Sequence, residues 1–104
     1  MEEIETANTI LLRIRLILGD PDSEFKEKYV VVRNDGESEY GKKHYLCKYF
    51  CLDLMHDRHA ISAMIAYAYS IQEEDPKLAK DLRKIAKIME EEMSKLDVAE
   101  DNDN

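Results

Sequence analysis

Twelve consecutive residues, Ala60-Ile61-Ser62-Ala63-Met64-Ile65-Ala66-Tyr67-Ala68-Tyr69-Ser70-Ile71, carry no charged side chain, and this run limits what the chain can fold into more than any other feature. A helix through it has no face that plainly belongs in water, so the sequence predicts a helix covered on most sides. The run is too short to cross a bilayer, which takes about 20 apolar residues. Ser62, Ala66 and Ser70 recur every fourth position and suit close approach by another helix, while Ile61, Met64, Ile65, Tyr67 and Ile71 fill the other directions.

Two amphipathic patterns flank this run. Ile4, Ala7, Leu11, Ile14 and Leu18 repeat at spacings of three and four and predict a helix over about residues 3 to 18. Glu2, Glu3 and Glu5 favour its N-terminal dipole end, Gly19 is expected in the left-handed conformation just past it, and Pro21 stops continuation. Towards the other end, Asp75-Pro76 predicts an N-cap followed by a tolerated first-turn proline. Leu78, Leu82, Ile85, Met89 and Leu96 then form the expected inner seam, and the short joint at 72–75 folds this helix back on the uncharged one.

Between the first helix and the uncharged run, Tyr29-Val30-Val31-Val32 is the only β-branched run in the chain, and Asn34-Asp35-Gly36 after it suits a tight turn. The fold class read from these patterns is mainly α: a small helical domain of three to four helices with a short β-hairpin at about 28–45 between the first and second helices. Residues 45–72 read as one helix or as two with a break near His56-Asp57, and 45–52 could instead extend the preceding strand.

Charge is unevenly spread. The chain holds 15 Lys and Arg against 23 Asp and Glu, a net charge of −8, yet residues 90–104 alone contain seven acids and one base. Residues 1–98 are therefore expected to form one compact domain and 99–104 an acidic, disordered tail. No segment is apolar enough to span a membrane, the start Met1-Glu2-Glu3 lacks a basic leader region, and two scattered cysteines fit a reducing compartment, so the expected location is cytoplasmic.

Chemistry-bearing constellations are sparse. His44, Cys47 and Cys51 are spaced by three and four and include the soft donors zinc takes, but no Cys-x-x-Cys knuckle accompanies them. Asp53, His56, Asp57 and His59 group acids with imidazoles without the second half that a carboxylate-bundle site needs, and read as helix-end capping. There is no Gly-x-Ser-x-Gly turn and no glycine-rich phosphate loop. Lys77, Lys80, Lys84 and Lys87 form a basic stripe opposite Leu78, Leu82 and Ile85, which reads as the wet face of an amphipathic helix.

No catalytic residue, metal or cofactor is expected from this pattern. The sequence points instead to a non-enzymatic protein–protein interaction module, a regulator, adaptor or inhibitor, acting through helical apolar surfaces formed by Ile61, Ser62, Ile65, Ala66, Tyr69 and Ser70. It is expected to self-associate, as a homodimer or larger homo-oligomer, and to meet a protein partner, with no membrane and no direct nucleic-acid binding. Two alternatives stand beside this reading: an acidic inhibitor that competes with nucleic acid for a basic protein, and a metal-binding protein using His44, Cys47 and Cys51.

Overall fold

A computed structural model describes residues 2–103, with side chains described for 2–96. It contains three helices, α1 (Glu2–Leu18), α2 (His59–Ile71) and α3 (Pro76–Asp103), and no strand among the described residues. The chain is thus mainly helical. It divides into two compact units, Met1–Cys51 and Leu52–Asn104. The expected acidic tail at 99–104 falls where side chains lie outside those described.

In the first unit, α1 follows the acidic first turn of Glu2, Glu3 and Glu5. Leu11, Ile14 and Leu18 of the expected stripe are half-buried, whereas Ile4 and Ala7 lie exposed at its N-terminal end. Gly19 does not take the left-handed conformation expected of it: its amide donates to the Arg15 carbonyl at 2.9 Å, one more helical step, and the amide of Asp20 closes on Ile17. None of the α1 residues is buried.

The β-hairpin at 28–45 does not form. The turn at Asn34-Asp35-Gly36 is present, with Gly36 at φ 80°, but no ladder extends from it. The backbone donors that a return strand would use are spent locally. Arg33 N–H donates to Ser38 Oγ at 3.0 Å, Glu39 to the Gly36 carbonyl, Lys42 to Glu39, Tyr45 to Lys42 and Cys47 to His44. A second positive-φ glycine, Gly41 at 81°, lets this succession of turns reverse direction where a side chain would be strained. Residues 38–45 offer no β-branched side chain to make pairing worth more than these turns, so Val30 is left 93% exposed.

The second unit is a helical hairpin. Residues 47–53 belong to no helix or strand and 54–56 form a turn, so neither helical option over 45–58 is realised, and α2 starts only at His59. Asp53 explains part of this: its Oδ1 accepts from the amides of both Met55 and His56, and Asp57 Oδ1 accepts from His59 N at 2.9 Å, turning the chain into α2. After α2, the amides of Glu74 and Asp75 bond to the Ile71 carbonyl, and Asp75 Oδ1 accepts from Leu78 N at 3.0 Å as the N-cap of α3. Asp75→Ala is expected to lower unfolding stability by about 1 kcal/mol, read as a fall in thermal midpoint.

The hairpin core is built from small residues. Ala60 and Met64 of α2 cluster with Ala86 and Met89 of α3, with Leu52, Ile61, Leu82 and Met93 packed around them, and Ala68 and Ala79 are buried as well. The buried residues among those described number six, four are alanines, and no large side chain is fully enclosed. The inner seam of α3 is therefore Ala79, Leu82, Ala86, Met89 and Met93. The seam expected from the large apolar residues is rotated from it, and Leu78, Ile85 and Leu96 remain partly or largely exposed.

Candidate interaction surface

Facing inward on Ala60, Met64 and Ala68 fixes which way the rest of α2 points. At about 100° per residue, Ser62, Ala66 and Tyr69 lie on the side directly away from α3, with Ile65 and Ser70 beside them. All five are exposed, Tyr69 by 72% and Ile65 by 47%. Ile61 differs from the others named in the sequence analysis: it is half-buried and packs against the hairpin core. The uncharged run is thus covered along one stripe only, not on most sides as expected.

The uncovered surface continues onto α3. Ala63 and Tyr67 lie on one flank of α2, and Leu78 and Ile85 lie on the matching flank of α3 in the antiparallel hairpin. The opposite flank is polar, because Arg83 there donates from Nη2 to Gln72 Oε1 at 2.8 Å. One side of the hairpin is therefore apolar across both helices. Tyr67, Leu78 and Ile85 belong to it, and a sequence reading that assigns the latter two to the inner seam misses them.

Lys77, Lys80, Lys84 and Lys87 are exposed on α3 away from the seam, as the sequence places them. None of them forms an ion pair among the described residues, unlike Lys43 with Glu3, Lys48 with Glu27 and Lys95 with Glu92. The uncharged α2 beside them offers no carboxylate.

The first unit holds further chemistry-bearing groups. His44 Nδ1 lies 3.3 Å from Cys47 Sγ, while Cys51 is exposed and free. No group of three or more His, Cys, Asp or Glu among the described residues converges to hold a metal ion. In the second unit, His56 Nδ1 lies 2.9 Å from Asp53 Oδ2, a contact that lowers the Asp53 carboxyl below its usual range. His59 contributes its backbone amide to the Asp57 turn. A shallow apolar groove of about 360 Å³ lies among Ile14, Ile17, Leu18, Phe25, Tyr49 and Phe50, and its rim cation Lys48 is already paired to Glu27 at 3.2 Å.

Arg33 grips Asp35 through two nitrogens, at 3.0 Å from Nε and 2.6 Å from Nη2. This hydrogen bonding, with a further bond from Glu37 N, holds the Asp35 carboxyl well below the usual carboxylate range. Because the folded value is depressed, any stability from the pair is present above the ordinary carboxylate pKa and is lost as pH falls through the lower one. Both groups are exposed, so the contribution is small. Arg33→Gln is expected to move the Asp35 titration upward by NMR; an unchanged titration contradicts the assignment.

No described helix is long and apolar enough to cross a membrane. No protein-family model matches the chain, and no curated protein or solved structure is significantly similar to it.

Proposed function

We propose that the protein is a non-enzymatic interaction module that self-associates through the exposed, uncharged surface of α2 and the adjoining apolar flank of α3. The single observation that carries this is the exposure of Ile65, Tyr67 and Tyr69 on a helix that has no charged residue on any face. Soluble single chains rarely leave a contiguous apolar surface of this kind uncovered unless it meets a partner.

Size argues the same way. Units of this length seldom gain more than about 3–5 kcal/mol from their own core, and here that core is mostly alanine. Fully burying a side chain such as Ile65 or Tyr67 in a contact contributes roughly 1.5–3 kcal/mol, so a few such residues rival the whole intramolecular core. Association then stabilises the fold by mass action, and the thermal midpoint rises with protein concentration. Melting curves across a hundredfold range of concentration test this; a midpoint that does not move contradicts self-association.

A further inference from the structure

Resting on that self-association, we infer that the dimer also pairs its two copies strand to strand through residues 27–33, antiparallel, with Val30 of one copy opposite Val30 of the other. The observation behind it is a stretch of backbone without partners. The amide of Phe25 donates to Ser23 Oγ and that of Arg33 to Ser38 Oγ, but between them the backbone of residues 26–32 makes no hydrogen bond among the described residues. This stretch holds Tyr29-Val30-Val31-Val32, the only β-branched run in the chain. Strand-forming residues whose amides and carbonyls are unpaired are a template for another strand.

Its side chains alternate as those of a strand do. Phe25 and Glu27 turn towards their own unit, where the Phe25 ring stands 5.9 Å from that of Phe50 and Glu27 pairs with Lys48 at 3.2 Å. Val30 and Val32 are 93% and 74% exposed, against 36% for Val31 between them. One set of side chains is held by the chain itself, and the valines of the other set are left uncovered.

Charge points to a second copy as the occupant and fixes the register. With Val30 on a two-fold axis, Glu27 stands opposite Arg33 at both ends of the pair, Tyr29 stands opposite Val31, and Lys28 lies along Val32. A slip of one position either way puts Arg33 opposite Lys26 or Lys28. Centring on Val31 puts Glu27 opposite Asp35, and centring on Tyr29 sets Lys26, Glu27 and Lys28 against the three valines. Like charges directly opposite each other destabilise a pair, so the register on Val30 is the favoured one. Glu27 and Arg33 keep their own-chain partners Lys48 and Asp35 in it, because a carboxylate has about four acceptor sites and a guanidinium five donors.

A two-stranded pair is marginal in water by itself, so this one does not hold two copies together unaided. Contact through α2 and α3 makes the pairing an event within one assembly, at an effective concentration of roughly millimolar. Two-fold symmetry then presents each copy with the same segment of the other.

Disulfide trapping in the full-length chain tests the pairing. In a background carrying Cys47→Ser and Cys51→Ser, Val30→Cys and Val32→Cys chains are oxidised separately, with the mass of each measured before oxidation. Both positions are exposed, so neither substitution touches the core. Residues opposed on the axis have Cα atoms about 4.5–5.5 Å apart, within disulfide reach, while two Val32 positions stand about 14 Å apart. The expected result is a Val30→Cys link that forms about tenfold or more faster than the Val32→Cys link, and that is lost when Ala66→Arg is added. A dimeric mass with equal links, with Val32→Cys links dominating or with none overturns the pairing and leaves self-association standing. A monomeric mass overturns both. A Val30→Cys link that forms as fast in the Ala66→Arg chain overturns the dependence of pairing on the α2–α3 contact.

Infrared absorption in the amide I region supplies a second readout that introduces no cysteine. The wild-type dimer is expected to show a strand band that disappears on dilution to the single chain and in Val30→Asp, which sets two carboxylates face to face. A spectrum of helix and turn alone at dimeric mass contradicts the pairing.

Discussion

Ala86→Asp is expected to unfold the α2–α3 hairpin, whereas Ile85→Asp, one residue away, leaves its helices formed in dilute solution. Ala86 is 2% exposed and packs in the cluster with Ala60, Met64 and Met89, where a carboxylate finds only methyl and thioether groups. An unpaired buried charge costs about 3–5 kcal/mol, as much as a core of this size supplies. Ile85 lies on the flank, and a carboxylate there reaches water. Circular dichroism melts at low concentration read the difference; equal loss of helix in the two variants places the seam on the Leu78–Ile85 stripe and contradicts the packing described.

Ala66→Arg carries the second large effect, on assembly and not on folding. Ala66 sits on the outermost side of α2, so in the single chain an arginine points into solvent, and arginine is among the better helix formers. Against a second copy, the same side chain brings an unpaired guanidinium to a surface with no acid on α2 to receive it. Leaving such a charge unpaired in a contact costs several kcal/mol, so association is expected to weaken about a hundredfold or more. Sedimentation velocity should show a smaller species with unchanged far-ultraviolet ellipticity per residue when dilute. An arginine variant that sediments like the wild type removes α2's outer side from the interface.

Helices whose ends are marked by local chemistry are legible in the amino-acid sequence. α3 begins where Asp75-Pro76 says it should, because a carboxylate cap and a fixed φ act within a few residues and need no tertiary partner. α1 likewise spans the predicted stripe. The inner seam is less legible, for a physical reason. Pattern reading weights Leu78, Ile85 and Leu96 because they are large, but the helices meet through Ala60, Ala68, Ala79 and Ala86, whose small side chains allow a close approach. Close approach favours small residues inside, and the larger ones are displaced to the flank.

The hairpin at 28–45 shows the limit of a local signal. Asp35-Gly36 does specify a turn, but a ladder needs two strands, and the segment after the turn satisfies its amides within three to seven residues. The candidate surface is legible in part: Ser62, Ile65, Ala66, Tyr69 and Ser70 are exposed on one side as their spacing implies, while Ile61 turns inward to the core. Tyr67, Leu78 and Ile85 join that surface only once the true seam fixes the rotation of both helices. The His44, Cys47 and Cys51 spacing, which suits a shared helical face, loses that meaning because 47–53 is not helical.

Everything proposed about function depends on the exposed, uncharged surface of α2 and the adjoining apolar flank of α3 being occupied in solution. Sedimentation equilibrium of the wild-type chain at high micromolar concentration tests this most directly. The account predicts a mass of twice the 12.2 kDa chain, shifting towards the single chain on dilution. A constant mass of one chain at every concentration contradicts it.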